Sequence, residues 1–78
     1  MNTQDKLTEL LGTHLGIAAD QVTEDTSFQD LKLDSLALIE LTMVINKAFG
    51  IDLDDWALTA DTTIEKAVAM IEQSGDQL

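Results

Sequence analysis

No stretch of this 78-residue chain alternates apolar and polar residues as a half-buried strand requires, whereas three stretches repeat apolar residues at helical spacing. No proline interrupts them. The clearest runs from about Ser35 to Phe49, opened by Asp34 as a capping residue and closed by Gly50. An earlier one spans Thr3 to Leu15, with Asn2 or Thr3 as its cap and Gly16 as its stop; Leu7, Leu10, Leu11 and His14 fall on its apolar side. The last follows Thr62-Thr63-Ile64-Glu65, which fits the capping-box pattern, and carries Ile64, Ala67, Val68 and Ile71 to an end near Gln73. Residues 51–61 hold too many breakers for a long helix and predict one short helix from Asp54 or Asp55 through Leu58. The expected fold is therefore all-α: a small four-helix bundle of three main helices and one short helix, with a long loop between the first two.

That loop, Ile17 to Leu33, loses periodicity and gathers acids and hydroxyls; Val22, Phe28, Leu31 and Leu33 are its expected anchors. The chain reads as a single domain over 1–78, ordered over about 3–73 and frayed from Ser74 to Leu78. A domain of this size buries only about 60% of its unfolded surface, so its margin of stability is thin. It has no cysteine, which excludes disulfides, thiolate metal ligands and a cysteine nucleophile, and which suits a reducing compartment. No leader pattern and no apolar run of bilayer length is visible, so a cytoplasmic protein is expected. The formal charge of −11, fifteen acids against four lysines, repels nucleic acid and anionic membranes and favours basic protein partners. Acidity also keeps a small domain in solution, and 45% apolar content excludes disorder.

The second helix carries two apolar faces. Leu38, Leu41, Ile45, Ala48 and Phe49 fall in one arc, the expected core stripe, while Leu36, Ile39 and Met43 share a roughly opposite arc with Glu40 and Lys47 beside it. One small bundle cannot easily bury both. Either the long loop folds over the second stripe, or the stripe faces solvent as a docking surface rimmed by charge. Ser35 stands at the head of that stripe. A serine in the first turn of a helix sits beside unpaired N–H groups and the positive end of the helix dipole, a setting that suits either a capping role or a phosphate ester.

From Leu10 to Val68 these segments fall in an order that resembles the acyl carrier proteins. The resemblance rests on Leu10-Leu11 with Leu15-Gly16-Ile17, Val22-Thr23-Glu24-Asp25-Thr26-Ser27-Phe28, Asp30-Leu31-Lys32-Leu33-Asp34-Ser35-Leu36, Glu40-Leu41, Phe49-Gly50-Ile51, and Thr63-Ile64 with Val68. It implies that Ser35 carries 4′-phosphopantetheine, delivered from coenzyme A by a phosphopantetheinyl transferase, and that acyl groups ride on the arm's thiol as thioesters. It implies docking of partner enzymes on Asp34, Leu36, Ile39, Glu40 and Met43. These are an acyltransferase or acyl-activating ligase, a ketosynthase and other pathway enzymes with basic surfaces. The carrier itself would be a monomer and not an enzyme. Two departures stand out: Lys32 occupies a position where the family usually has glycine, and Asn46-Lys47-Ala48 replaces a run of acids found in members serving fatty acid synthesis. The second points toward polyketide or mixed polyketide/nonribosomal peptide biosynthesis, with a fatty acid synthesis carrier as the alternative.

The remaining polar groups offer little chemistry. A carboxylate is the only base near Ser35 in sequence, so activation of its hydroxyl has to come from elsewhere. His14 has no triad partner and reads as a packed or edge residue. Asp52, Asp54 and Asp55 lack the glycine and distal glutamate of an EF-hand loop, and no metal site is expected. Trp56 either packs in the core or, with Val44, Leu53, Leu58 and Ile64, shapes a small apolar pocket or presents a partner contact, in a place where the resemblance implies shelter for an acyl chain. The rival from another class is an unmodified helical interaction module that binds one basic partner and in which Ser35 is only a cap.

Overall fold

The computed structural model describes residues 2–75 and contains three α-helices, α1 (Thr3–Leu15), α2 (Ser35–Phe49) and α3 (Ile64–Gly75), with a 3₁₀ turn at Ala19–Gln21. No strand occurs among the described residues; one isolated antiparallel bridge joins Ser27 to Thr63. The all-α expectation holds. The expected fraying at 76–78 lies outside the described residues, while Ser74 and Gly75 belong to α3.

Caps set the helix bounds. Asn2 Oδ1 accepts from the Asp5 N–H at 2.8 Å and opens α1; Gly16 closes it in the left-handed region, with φ 69°. Gly50 closes α2 with φ 68°, and the Ile51 N–H reaches back to the Asn46 carbonyl at 3.1 Å. The Thr62 capping box does not form. Thr63 instead accepts from the Lys66 N–H at 3.2 Å, because the Thr62 hydroxyl faces Thr59 and the Glu65 N–H is taken by the Glu24 carbonyl.

α1 packs along both α2 and α3. Leu7, Leu11, Phe28, Leu41, Ile45, Ile64 and Ala67 have no accessible surface, and Val22, Leu38, Leu58 and Ile71 complete the core. The loop anchors behave as expected: Val22 and Phe28 are buried, Leu31 and Leu33 half-buried against the core. Loop backbone groups pair with the segment ahead of α3, including Phe28 N–H to Thr62 O at 3.1 Å and Ile64 N–H to Thr26 O at 2.8 Å.

Two expectations are corrected, and one further residue is buried that spacing did not place in the core. His14 is exposed, since the chain turns away at Gly16 and it is Leu15 and Ile17 that pack against the core. Thr42 is fully buried on α2, its hydroxyl satisfied by the Leu38 carbonyl at 2.8 Å. No helix forms over 54–58; there is one turn, closed by the Ala57 N–H on the Asp54 carbonyl at 3.0 Å. A helix that short cannot repay its nucleation. Both ends of the segment are held elsewhere, Leu53 by the Asn46 side chain and Leu58 by the core.

Candidate functional site

The approach to Ser35 is a single helical turn capped at both ends. Ser27 and Asp30 exchange hydrogen bonds, Asp30 N–H to Ser27 Oγ at 3.1 Å and Ser27 N–H to Asp30 Oδ2 at 3.2 Å, a reciprocal box that opens the turn. The Leu33 N–H then donates to the Phe28 carbonyl at 3.1 Å and the Lys32 N–H to that of Gln29 at 2.9 Å, the paired bonds of a Schellman closure. Such a closure needs a left-handed residue at its penultimate position, and Lys32 supplies it with φ 60°, the one positive φ outside glycine among the described residues. The glycine-like demand of this position is thus met by a lysine under strain. Buried Phe28 is the nail of the turn and fixes where α2 begins.

Asp34 follows with an extended backbone (φ −83°, ψ 179°), and its Oδ1 accepts from the Ala37 N–H at 2.8 Å. Asp34, not Ser35, therefore caps α2. The Ser35 hydroxyl is not required for that task and lies exposed at the first helical position. The first intrahelical bond runs from the Leu38 N–H to the Asp34 carbonyl, which leaves the N–H groups of Ser35 and Leu36 at the open helix end. A phosphodiester on Ser35 would meet the positive end of a 15-residue helix. The residues present fit that group.

The second apolar arc of α2 is not covered by the loop. Leu36 is 75% exposed and Met43 62%, Glu40 is exposed, and Ile39 is half-buried. About two turns of helix therefore present an apolar stripe to solvent below Ser35, with Asp34 and Glu40 as its acids.

A groove of about 340 Å³ opens beside Ser35. Leu33, Asp34, Ser35, Leu38 and Ile39 form one wall, and Asp55, Trp56, Leu58, Thr59 and Ala60 the other. Of the five residues read from sequence as a pocket, Trp56 and Leu58 line this groove. Ile64 is instead fully buried in the core, and Val44 and Leu53 are half-buried away from it. Trp56 is not a core residue: three quarters of its surface faces solvent.

Sequence reasoning missed what holds the far wall. The Asn46 amide pairs with both backbone groups of Leu53, accepting from its N–H at 2.8 Å and donating to its carbonyl at 3.1 Å. Asn46 thus acts inside the fold, not as a missing acid on its surface, while Lys47 remains exposed. Further on, Thr59 Oγ1 bonds the Asp61 carboxylate and contacts Thr62 Oγ1 at 2.9 Å, bending the chain toward α3. The Thr59 hydroxyl and, next, the Asp61 backbone N–H hold the Asp61 carboxyl below the usual carboxylate range. Alternation of Ile51, Asp52 and Leu53 after Gly50 was the one visible hint that an extended segment there seeks a partner.

An exposed serine at a helix start, a groove beside it and an uncovered apolar stripe below it form one connected surface. The sequence matches the family model for the phosphopantetheine attachment site over residues 5–71. That match takes in most of α1, the loop, the junction, α2 and the first two thirds of α3. The chain belongs to the carrier-protein family of the acyl carrier type, whose members bear covalently attached 4′-phosphopantetheine.

Proposed function

We propose that the whole chain is one carrier unit modified on Ser35, which transports acyl intermediates between the enzymes of polyketide or mixed polyketide/nonribosomal peptide biosynthesis and does not itself catalyse. The observation that carries this reading is the free placement of the Ser35 hydroxyl: exposed, relieved of capping by Asp34, and set in the wall of a groove. When attached, the group supplies a flexible arm ending in a thiol, which the cysteine-free chain lacks. The chain's own part is to present and to orient. Asp34 and the helix end fix the attachment oxygen, and Leu33, Ile39 and Leu58 offer apolar walls to what is attached there.

Several features support a passive role. The Asp34 carboxylate is committed to the Ala37 N–H, and His14 lies exposed in the last turn of α1, so activation of Ser35 falls to the transferase. Asp34, Leu36, Ile39, Glu40 and Met43 would meet basic partners. Charge speeds encounter, and a small apolar stripe permits rapid release, which suits a carrier that visits several enzymes in turn. The exposed Lys47 near the end of α2 supports the specialised pathway over fatty acid synthesis, since it adds positive charge where an acid-seeking partner would be repelled. A cysteine-free composition supports a reducing, cytoplasmic setting, and the reading takes the chain as a monomer. No helix of the described residues is long and apolar enough to cross a membrane.

The test is chemical. The chain is treated with acetyl-coenzyme A, magnesium and a phosphopantetheinyl transferase, and the product is exposed to neutral hydroxylamine. Loss of the acetyl group alone, with the remainder of the added mass retained, is the expected result. An added mass wholly resistant to hydroxylamine contradicts a thioester. Offering the loaded chain to ketosynthases of the two pathway types then tests the pathway; preference for the fatty acid enzyme overturns that assignment.

A further inference from the structure

Four lysines stand against fifteen acids in this chain, and three of them lie away from the attachment point. Lys6 holds the end of α2 through the Ala48 carbonyl, Lys47 is in the last turn of α2, and Lys66 is in the first turn of α3. The fourth is Lys32. It is exposed on the turn that delivers Ser35, three residues ahead of it, which places the two Cα atoms within about 11 Å of each other. The acids on either side are committed to the backbone: an Asp30 oxygen accepts from the Ser27 N–H and an Asp34 oxygen from the Ala37 N–H. The other exposed charges of this junction and of the walls that face it, Asp30, Asp34, Glu40, Asp54 and Asp55, are all negative.

The backbone makes a lysine an unfavourable choice here. Lys32 holds φ 60°, a region that glycine enters freely and asparagine more readily than most residues. Packing does not explain it, since the side chain only borders a polar recess open to solvent, shared with Gln21, Thr26, Asp30 and Leu31. A strained backbone that persists without a packing reason points to function. What Lys32 adds to the junction is positive charge. We propose that Lys32 is a specificity-determining residue for the modification of Ser35, its ammonium selecting against enzymes whose carrier-binding face is basic as far as the 27–33 turn. The inference rests on the carrier reading. Specificity is commonly built from a repulsive element set among attractive ones, and like charges brought together suppress a wrong partner. The reach is adequate: the screening length is about 10 Å at 0.1 M salt and about 3 Å at 1 M.

The experiment measures steady-state kinetics of a broad-specificity phosphopantetheinyl transferase with a basic carrier-binding face, acting on the full chain with coenzyme A and magnesium, in low salt and in about 1 M salt. Lys32→Gln removes the charge and keeps the backbone demand, Lys32→Gly removes both, Lys32→Glu reverses the charge and Lys32→Arg keeps it; thermal melts confirm that each variant is folded. In low salt, Lys32→Gln and Lys32→Gly are expected to lower the KM for the carrier about threefold and Lys32→Glu about tenfold, with Lys32→Arg at the parent's value. The differences should appear in KM, with kcat within about twofold, and close in high salt. A KM lowered by Lys32→Gly alone assigns the effect to the backbone and overturns the inference, as does a KM that none of the variants moves. In either case the parent still gains its arm and the carrier reading stands. A folded parent that gains no arm overturns the carrier reading itself.

Discussion

Replacing Lys32 by glycine should make this protein more stable, although it removes a side chain and adds freedom to the backbone. Lys32 holds φ 60° at the closing position of the turn that leads into Ser35. A side-chain-bearing residue pays about 1–2 kcal/mol to occupy that region. Glycine removes the penalty but has more freedom to lose on folding, an offset of about 0.5–1 kcal/mol. Lys32 is exposed, so little packing is forfeited. The net is a gain of about 0.5–1 kcal/mol, which in a domain of this size raises the melting temperature by about 2–8 °C. Thermal and urea unfolding followed by circular dichroism measure it. Gly50→Ala is the mirror test: φ is 68° and an added Cβ meets nothing within 4 Å, so its cost is conformational alone, about 1 kcal/mol destabilising. A lower melting point for Lys32→Gly, or no loss for Gly50→Ala, would refute the reasoning.

Asn46→Ala leaves the Leu53 backbone without its two partners and should cost about 1–3 kcal/mol; hydrogen exchange should quicken at the Leu53 amide, a change that a purely global effect would spread over the core as well. Asp34→Ala removes the α2 cap and should cost about 1 kcal/mol in urea unfolding. Thr59→Val should let the Asp61 carboxyl titrate nearer its ordinary value, read by carbon-detected NMR. Because the folded value is lowered, the stabilisation exists above the unfolded carboxylate pKa of about 3.9 and is lost as pH falls through the folded one. Parent and variant should therefore draw together in stability in strong acid, and a gap that widens there would contradict the assignment.

The three main helices were legible because each is an amphipathic run bounded by short polar caps and glycine, signals that lie within a few residues of what they control. Leu7, Leu11, Leu38, Leu41 and Ile45 followed from spacing alone. The 54–57 turn was misread as a helix since what shapes it is remote: the Asn46 amide reaches from α2 to Leu53, seven residues away, and Leu58 is claimed by the core. The Thr62 box failed for the same reason, its donor at Glu65 taken by the Glu24 carbonyl. Periodicity revealed the two faces of α2 but could not decide whether the loop would cover one; the inward commitment of Phe28, Leu31 and Leu33 leaves the stripe bare. The groove was half legible. Trp56 and Leu58 line it, but its other side comes from Leu33, which sequence had assigned to anchoring the loop, from Asp34 and Ser35, assigned to docking and attachment, and from Leu38 and Ile39 of α2.

The most direct measurement is the intact mass of the chain after incubation with coenzyme A, magnesium and a broad-specificity phosphopantetheinyl transferase, run beside a Ser35→Ala variant shown to fold by its melt. The parent should gain one phosphopantetheine and the variant none, with equal melting points for the two unmodified proteins because the cap is Asp34. Modification of the Ser35→Ala variant, or a folded parent that stays unmodified with several transferases, would contradict the account.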